Sequence, residues 1–242
     1  MFYYNKGMTD KFTAIYDMLW NTSFDALSRG EIEIDRYITN PAADRRRGLT
    51  LIFRPTDEVK SNILAFVEET RQLEPDQYSY PEASLHFTVL ALFTATVDHQ
   101  QEYDQLDVYQ AAVENALDEV SPFTFTLKGL TVSKSALMLC GYPRPDNLNI
   151  IRQKLRESLI RAGLAQGLDR RYTLTAAHTT IMRFSNPLRA PARFSEFLLE
   201  NKLRDFGTLT VNHLQLMKND WYMSPENSTL IKQYAINNRL NY

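Results

Sequence analysis

Two histidines, each followed two positions later by a threonine, sit inside otherwise apolar runs: His86 and Thr88 in "SLHFTVL", His178 and Thr180 in "AAHTTIM". An unperturbed imidazole titrates at about 6.5, so of two in one site one can be neutral and its partner charged near pH 7. General acid-base catalysis needs that arrangement, and it can run without a metal. A threonine hydroxyl donates hydrogen bonds well suited to an oxygen on which negative charge builds up. Alternate side chains of a strand share a face, so in each run His and Thr point one way. Leu85, Phe87 and Val89, or Ala177, Thr179 and Ile181, point the other, with Thr179 making the second of these faces more polar. One such pair is explained well enough by a histidine satisfied by a neighbouring hydroxyl. Two pairs centred in equivalent strands favour a shared site.

The elements that must position them follow from periodicity. Thr9 to Arg29 has helical spacing, with Phe12, Ile15, Tyr16 and Leu19 on one face and Gly30 as a stop. Glu31 to Gly48 is polar, carries Pro41 and the run Arg45, Arg46, Arg47, and reads as an irregular connector. A strand is expected over Leu49 to Pro55, then a helix capped by Thr56 with Val59, Ile63, Phe66 and Val67 inward. The first His-Thr strand, a helix over Leu106 to Val120 and an alternating strand over Phe123 to Gly129 complete one set. The order then repeats: a strand over Ser135 to Tyr142, a helix from Asn147 with Leu148, Ile151, Leu155 and Leu159 inward, the second His-Thr strand, a helix begun by Pro191, and "GTLTVNHLQLM" as one closing strand. Two runs of one element order imply an internal duplication, with repeats of approximately residues 49–130 and 135–236.

Composition sets the outer bounds. With 242 residues and 44% hydrophobic content the chain can bury a substantial core. Its 27 basic and 29 acidic residues leave a net charge of -2, which carries no global signature of a nucleic-acid wrapper or membrane-surface protein. The single cysteine, Cys140, excludes an intrachain disulfide and a cysteine-cluster zinc site and fits a reducing compartment. No apolar run is long enough to span a bilayer and no signal-peptide pattern opens the chain, so a cytoplasmic location is expected.

The motifs "LHFTVL" and "AHTTIM" resemble the paired His-x-Thr motifs of the 2H phosphoesterase superfamily, also called the 2′-5′ RNA ligase-like or cyclic phosphodiesterase family. The second continues to Arg183 in "HTTIMRF", similar to the family's His-x-Thr-x-x-Arg form. The resemblance covers about Leu49 to Ile236, leaving residues 1–48 as an N-terminal helical extension and connector and 49–242 as the main domain. It implies an α/β (α+β) bilobal fold of two pseudo-symmetric lobes, each a β-sheet flanked by helices, with the motifs facing each other across a cleft. It further implies a metal-independent phosphoesterase, without cofactor, in which His86 and His178 share the acid and base roles and Thr88 and Thr180 bind the phosphate oxygens. The substrate class is a nucleotide or RNA end bearing a cyclic phosphate or 2′-5′ linkage.

Other residues are weighed beside these. Trp221 and Tyr222 in "NDWYMSPE" either stack on a nucleobase or cap the core at a strand end. Arg183 lies an odd number of positions from His178, so in an unbroken strand it faces away and forms a structural ion pair; a bulge would turn it towards substrate. His99 and His213 are expected in surface or satisfied positions, and no His-Glu-x-x-His or close His-x-His spacing suggests a metal. Arg45 to Arg47 and Lys134 read as solvated, and Phe2, Tyr3 and Tyr4 have no assigned role. Three other readings stay open: 2′-5′ ligation of RNA ends, a non-catalytic nucleotide or RNA binder, and an assembly scaffold acting through the extension.

Overall fold

The apolar run after the connector becomes strand β1 (Arg47–Phe53), buried from its second residue onward as expected of a strand covered on both faces. The computed structural model describes residues 6–97, 100–169 and 173–236. Helix α1 (Lys6–Ser28) precedes β1, and a connector with one short 3-10 turn at Pro41–Ala43 joins them. After β1 come α2 (Asp57–Leu73), β2 (Tyr78–Ser79), β3 (Phe87–Thr96), α3 (Gln100–Tyr103), α4 (Leu106–Leu117) and β4 (Phe123–Ser133). The second run is β5 (Ala136–Arg144), α5 (Asn147–Arg161), β6 (His178–Arg183), α6 (Pro191–Glu200), β7 (Asp205–Val211), β8 (His213–Asn219) and β9 (Thr229–Ala235). The helix stripes are those the periodicity implies: α2 buries Val59, Ile63, Phe66 and Val67, and α5 buries Leu148, Ile151, Leu155 and Leu159.

The strands form two antiparallel sheets, in the orders β3-β1-β8-β9 and β2-β6-β5-β4-β7. Each His-Thr strand keeps the same neighbours: β3 lies beside β1 and then β8, and β6 beside β5 and then β4. The division expected near residue 130 is not where the sheets divide. Strand β4 closes the first run yet sits inside the second sheet against β5, and β8, from the second run, lies against β1. The two runs exchange their closing strands, which ties the lobes together.

The expected single strand "GTLTVNHLQLM" is broken at Asn212, with β7 in one sheet and β8 in the other. The reason is a change of phase. Leu209 and Val211 are buried at odd positions, Leu214 and Leu216 at even ones, and an unbroken strand would send the two sets to opposite faces. The N-terminal extension is also no appendage. Helix α1 packs on β4, β5 and α6 and buries Phe12, Tyr16, Trp20 and Leu27, while the connector bonds Glu33 N to the Lys134 carbonyl and Asp35 N to that of Phe184. Phe2, Tyr3, Tyr4 and His99 lie outside the described residues.

One aromatic cluster joins the sheets beneath the first motif. Phe87 packs on Phe53 with ring centroids 4.8 Å apart and on Phe125 of β4 at 4.7 Å. Phe87 lies between His86 and Thr88 and points away from both, so burying it holds their faces outward. Emptying such a site typically costs about 3–5 kcal/mol. Among the described residues no helix is long and apolar enough to cross a membrane.

Candidate active site

His86 immediately precedes β3, and His178 is the first residue of β6. Both rings, with Thr88, Thr180, Arg183 and Trp221, line one cavity of about 180 Å³ between the sheets. Among the described residues neither the Thr88 nor the Thr180 hydroxyl is engaged in a hydrogen bond, which leaves both as donors to whatever enters. The cavity also meets Asp169 and Asp220, yet no three His, Cys, Asp or Glu side chains among the described residues converge as a metal site would require. His213 is exposed at the start of β8, where its Nδ1 meets Asn212 Oδ1 at 2.8 Å.

Both His strands carry an irregularity just past the threonine. On β3, Thr88 pairs with Ile52 and Leu90 with Leu51, so Val89 is the extra residue. On β6, Thr180 pairs with Met138 and Met182 with Leu137, so Ile181 is extra. A bulge inserts one unpaired residue and reverses the facing of every later residue in the strand. Arg183 therefore returns to the histidine side, and the unbroken strand that would turn it away is not the one that forms. Its Nε donates to Tyr80 Oη at 2.9 Å, and its guanidinium lies 5.5 Å from the Trp221 ring centroid and 5.7 Å from that of Tyr222. Among the described residues it makes no ion pair within 4.0 Å. At the matching place on β3 stands the uncharged Ala91. Trp221 and Tyr222 separate: Trp221 lines the cavity, whereas Tyr222 is buried behind it, accepting a bond from Arg46 Nη2 at 3.2 Å.

The two imidazoles are held differently. His86 Nδ1 lies 2.7 Å from the Ser84 carbonyl, which can only accept, so the proton sits on Nδ1, and among the described residues the Nε2 lone pair has no partner. His178 Nδ1 is buried without a partner among the described residues. Burial pushes His86 down to about 4, partly opposed by the Ser84 carbonyl and reinforced by the Arg54 and Arg183 charges. Burial likewise takes His178 to about 4, with Arg152, His86 and Arg183 adding to the effect. The expectation that one ring is charged near pH 7 gives way to a pair that is neutral in the protein alone.

Three residues that the motifs do not contain hold this geometry. Arg152 of α5 is fully buried and donates to four backbone carbonyls: Val89 (2.8 Å), Thr88 (3.1 Å), Ala176 (2.7 Å) and Thr175 (3.2 Å). One guanidinium thus clamps the bulge of the first motif to the approach of the second. Burial holds it down to about 10, which still leaves it charged at neutrality. Its sequence signal was a charge on the inward stripe between Leu148 and Leu155. Arg54 Nη1 donates to the Ala83 and Leu85 carbonyls at 2.7 and 3.1 Å, bracing the turn that leads into His86. Tyr16 of α1 places its hydroxyl where β5 and β6 part beside Cys140 and His178: it accepts from Gly141 N and Ala177 N at 3.2 and 3.0 Å and donates to the Gly141 carbonyl at 2.9 Å. Residue 141 must be glycine, because a Cβ there would lie 2.0 Å from Phe125 Cζ and 2.2 Å from the Ala177 oxygen.

A two-sheet α/β fold whose paired His-x-Thr strands meet in one cleft defines a two-histidine protein of the 2H type. The family model of the 2′-5′ RNA ligase superfamily matches residues 59–221, and the chain belongs to that superfamily, the 2H phosphoesterases. Its fold is shared with solved structures at low identity. TT0787 of Thermus thermophilus superposes with a TM-score of 0.60 at 14% identity, over 79% of this chain and 99% of that one. LigT of E. coli, solved with 3'-AMP, gives 0.53 at 15%, over 79% and 98%; a structure described as a phosphoesterase gives 0.53 at 17%, over 79% and 99%. No curated protein matches.

Proposed function

We propose that the protein is a metal-independent phosphodiesterase acting on a nucleotide or RNA end with a 2′,3′-cyclic phosphate or 2′-5′ linkage, in the cytoplasm. The observation that carries this reading is the convergence of two imidazoles, two uncommitted threonine hydroxyls and one guanidinium on a single small cavity. In hydrolysis of a cyclic phosphate, the free Nε2 of His86 takes a proton from water as its oxygen bonds to phosphorus. The bond from phosphorus to one ribose oxygen breaks, and that oxygen takes a proton from His178. Thr88, Thr180 and Arg183 hold the non-bridging oxygens as charge accumulates on them.

The roles follow from the hydrogen bonding. The Ser84 carbonyl anchors Nδ1–H of His86 and raises the basicity of its Nε2, which suits a base. His178 Nδ1 has no such support among the described residues, so a proton on that ring is the more easily surrendered, which suits an acid. The substrate supplies the missing charge. A phosphate anion about 4 Å from an imidazolium contributes about 4 kcal/mol at an effective dielectric constant of about 20, equivalent to about three pH units. That offsets the depression to about 4 and lets one ring carry a proton only when phosphate is bound.

LigT, complexed with 3'-AMP in one structure and ATP in another, supports a nucleotide as ligand here. Ligation is the same attack with a 5′-hydroxyl in place of water, and a pure binder would show no turnover at any pH. The test is turnover of a nucleoside 2′,3′-cyclic phosphate and a 2′-5′ dinucleotide with EDTA present, for wild type, His86→Ala, His178→Ala and Arg183→Ala. Proton transfer typically contributes about 10²- to 10⁴-fold, so each histidine variant should lose at least about a hundredfold in kcat. Full activity in either histidine variant, or none in folded wild type, refutes the proposal.

A further inference from the structure

We infer that the cavity between the connector and the 220–227 segment is a subsite for the nucleotide neighbouring the one that carries the reacting phosphate. The inference rests on the phosphodiesterase reading and adds that the preferred substrate is at least a dinucleotide. The first observation is one of size. The active-site cavity, at about 180 Å³, falls below the roughly 300–1,000 Å³ of ordinary small-ligand pockets and can take the phosphate and its immediate surroundings only. A second cavity, of about 1100 Å³, shares the lining residue Asp220 with it. The second cavity has ample room for a whole nucleotide.

The chemistry of the lining points the same way. Tyr37 is 43% exposed and lines this cavity; Arg46 lies over its ring at 4.4 Å from the centroid, and the same guanidinium is 5.0 Å from Trp221. A column of Tyr37, Arg46 and Trp221 thus runs from the second cavity to the first. Aromatic rings so placed stack on bases of any identity. Two cations face the same space. Arg45 is exposed and has no ion pair among the described residues. Arg47 donates to neutral oxygens, the carbonyls of Asp44 and Arg46 and the Oδ1 of Asn227.

The carboxylates nearby are mostly committed. Asp44 is held by Arg46 at 2.7 and 2.8 Å, and Asp220 accepts from Tyr222 N, Ser224 N, Ser224 Oγ and Asn227 Nδ2. Glu226 is the remaining acid of the lining, so two guanidiniums face one uncommitted carboxylate, a balance that fits one phosphate and not a long anionic chain. Residues 37–47, which form one wall of this cavity, lie before the stretch 59–221 matched by the family model.

The test is calorimetric binding at pH 7 of two probes, adenosine 3′-monophosphate and the dinucleotide ApAp with a terminal 3′-phosphate, to wild type, Tyr37→Ala and Arg45→Glu. ApAp should bind about 5- to 150-fold more tightly than the mononucleotide, the fold-change equivalent of stacking one base. Both variants should bring that ratio towards one. A wild-type ratio of one, or a ratio unchanged in both variants, overturns the subsite. Failure of the phosphodiesterase reading is distinct: it appears as absent turnover of cyclic substrates while ApAp remains the tighter ligand.

Discussion

Acidification should destabilise this protein through its two active-site imidazoles, by an amount the structure sets. Both fold with pKa values near 4, against about 6.5 in an unfolded chain. Between those values the unfolded state binds more protons than the folded one, so stability rises with pH across that window. The contribution is complete above about 6.5 and is lost as pH falls towards 4. Over the whole window it is at most about 3 kcal/mol per ring; at pH 5 it comes to about 2 kcal/mol each, or about 4 for both. Each ring keeps part of its surface towards the cavity, which lowers the expected loss to about 2–4 kcal/mol for the pair. The assay is urea denaturation at pH 7.5 and pH 5 of wild type and the double variant His86→Asn, His178→Asn. Most carboxylates remain ionised at pH 5 and are common to both proteins, so the difference isolates the histidines. Wild type should lose about 2–4 kcal/mol more than the variant between the two pH values, and inorganic phosphate should reduce its loss by favouring a protonated ring. Equal losses to within about 0.5 kcal/mol would show that the imidazoles are not buried as neutral bases, and the substrate-supplied charge would go with them.

Two substitutions around the site carry further expected outcomes. Tyr16→Phe leaves the amides of Gly141 and Ala177 and the Gly141 carbonyl without their partner, and should cost about 2–4 kcal/mol in chemical denaturation; a loss below about 0.5 kcal/mol would mean the hydroxyl is not bridging β5 and β6. Arg152→Met strips four carbonyls of a charged donor and should lower stability by about 3–5 kcal/mol, and NMR titration should show His178 moving up towards its ordinary value; an unmoved His178 would separate the clamp from the acid-base pair.

The structure also bears on the scaffold alternative. Deleting residues 1–48 removes Phe12, Tyr16, Trp20 and Leu27 from a continuous core, so loss of function in such a truncation follows from unfolding and says nothing of assembly.

Much of this protein is written in local pattern. His-x-Thr spacing alone puts each pair on one face, because the side-chain period of a strand is two, and the stripes of α2 and α5 follow from the period of a helix. Those regularities need no knowledge of what packs opposite, and the paired motifs were enough to point to the superfamily. What the tertiary structure decided depends on partners distant in the chain. The bulges at Val89 and Ile181 exist only relative to β1 and β5, and the one at Ile181 turns Arg183 to the histidine side. The exchange of β4 and β8 between sheets, the neutral state of the imidazoles, the Tyr16 and Arg152 clamps and the wall built by the connector all arise from burial and pairing across more than a hundred residues or between the two sheets. A single residue's neighbours along the chain carry no record of such burial, which is why the chemistry was legible in the sequence and its tuning was not.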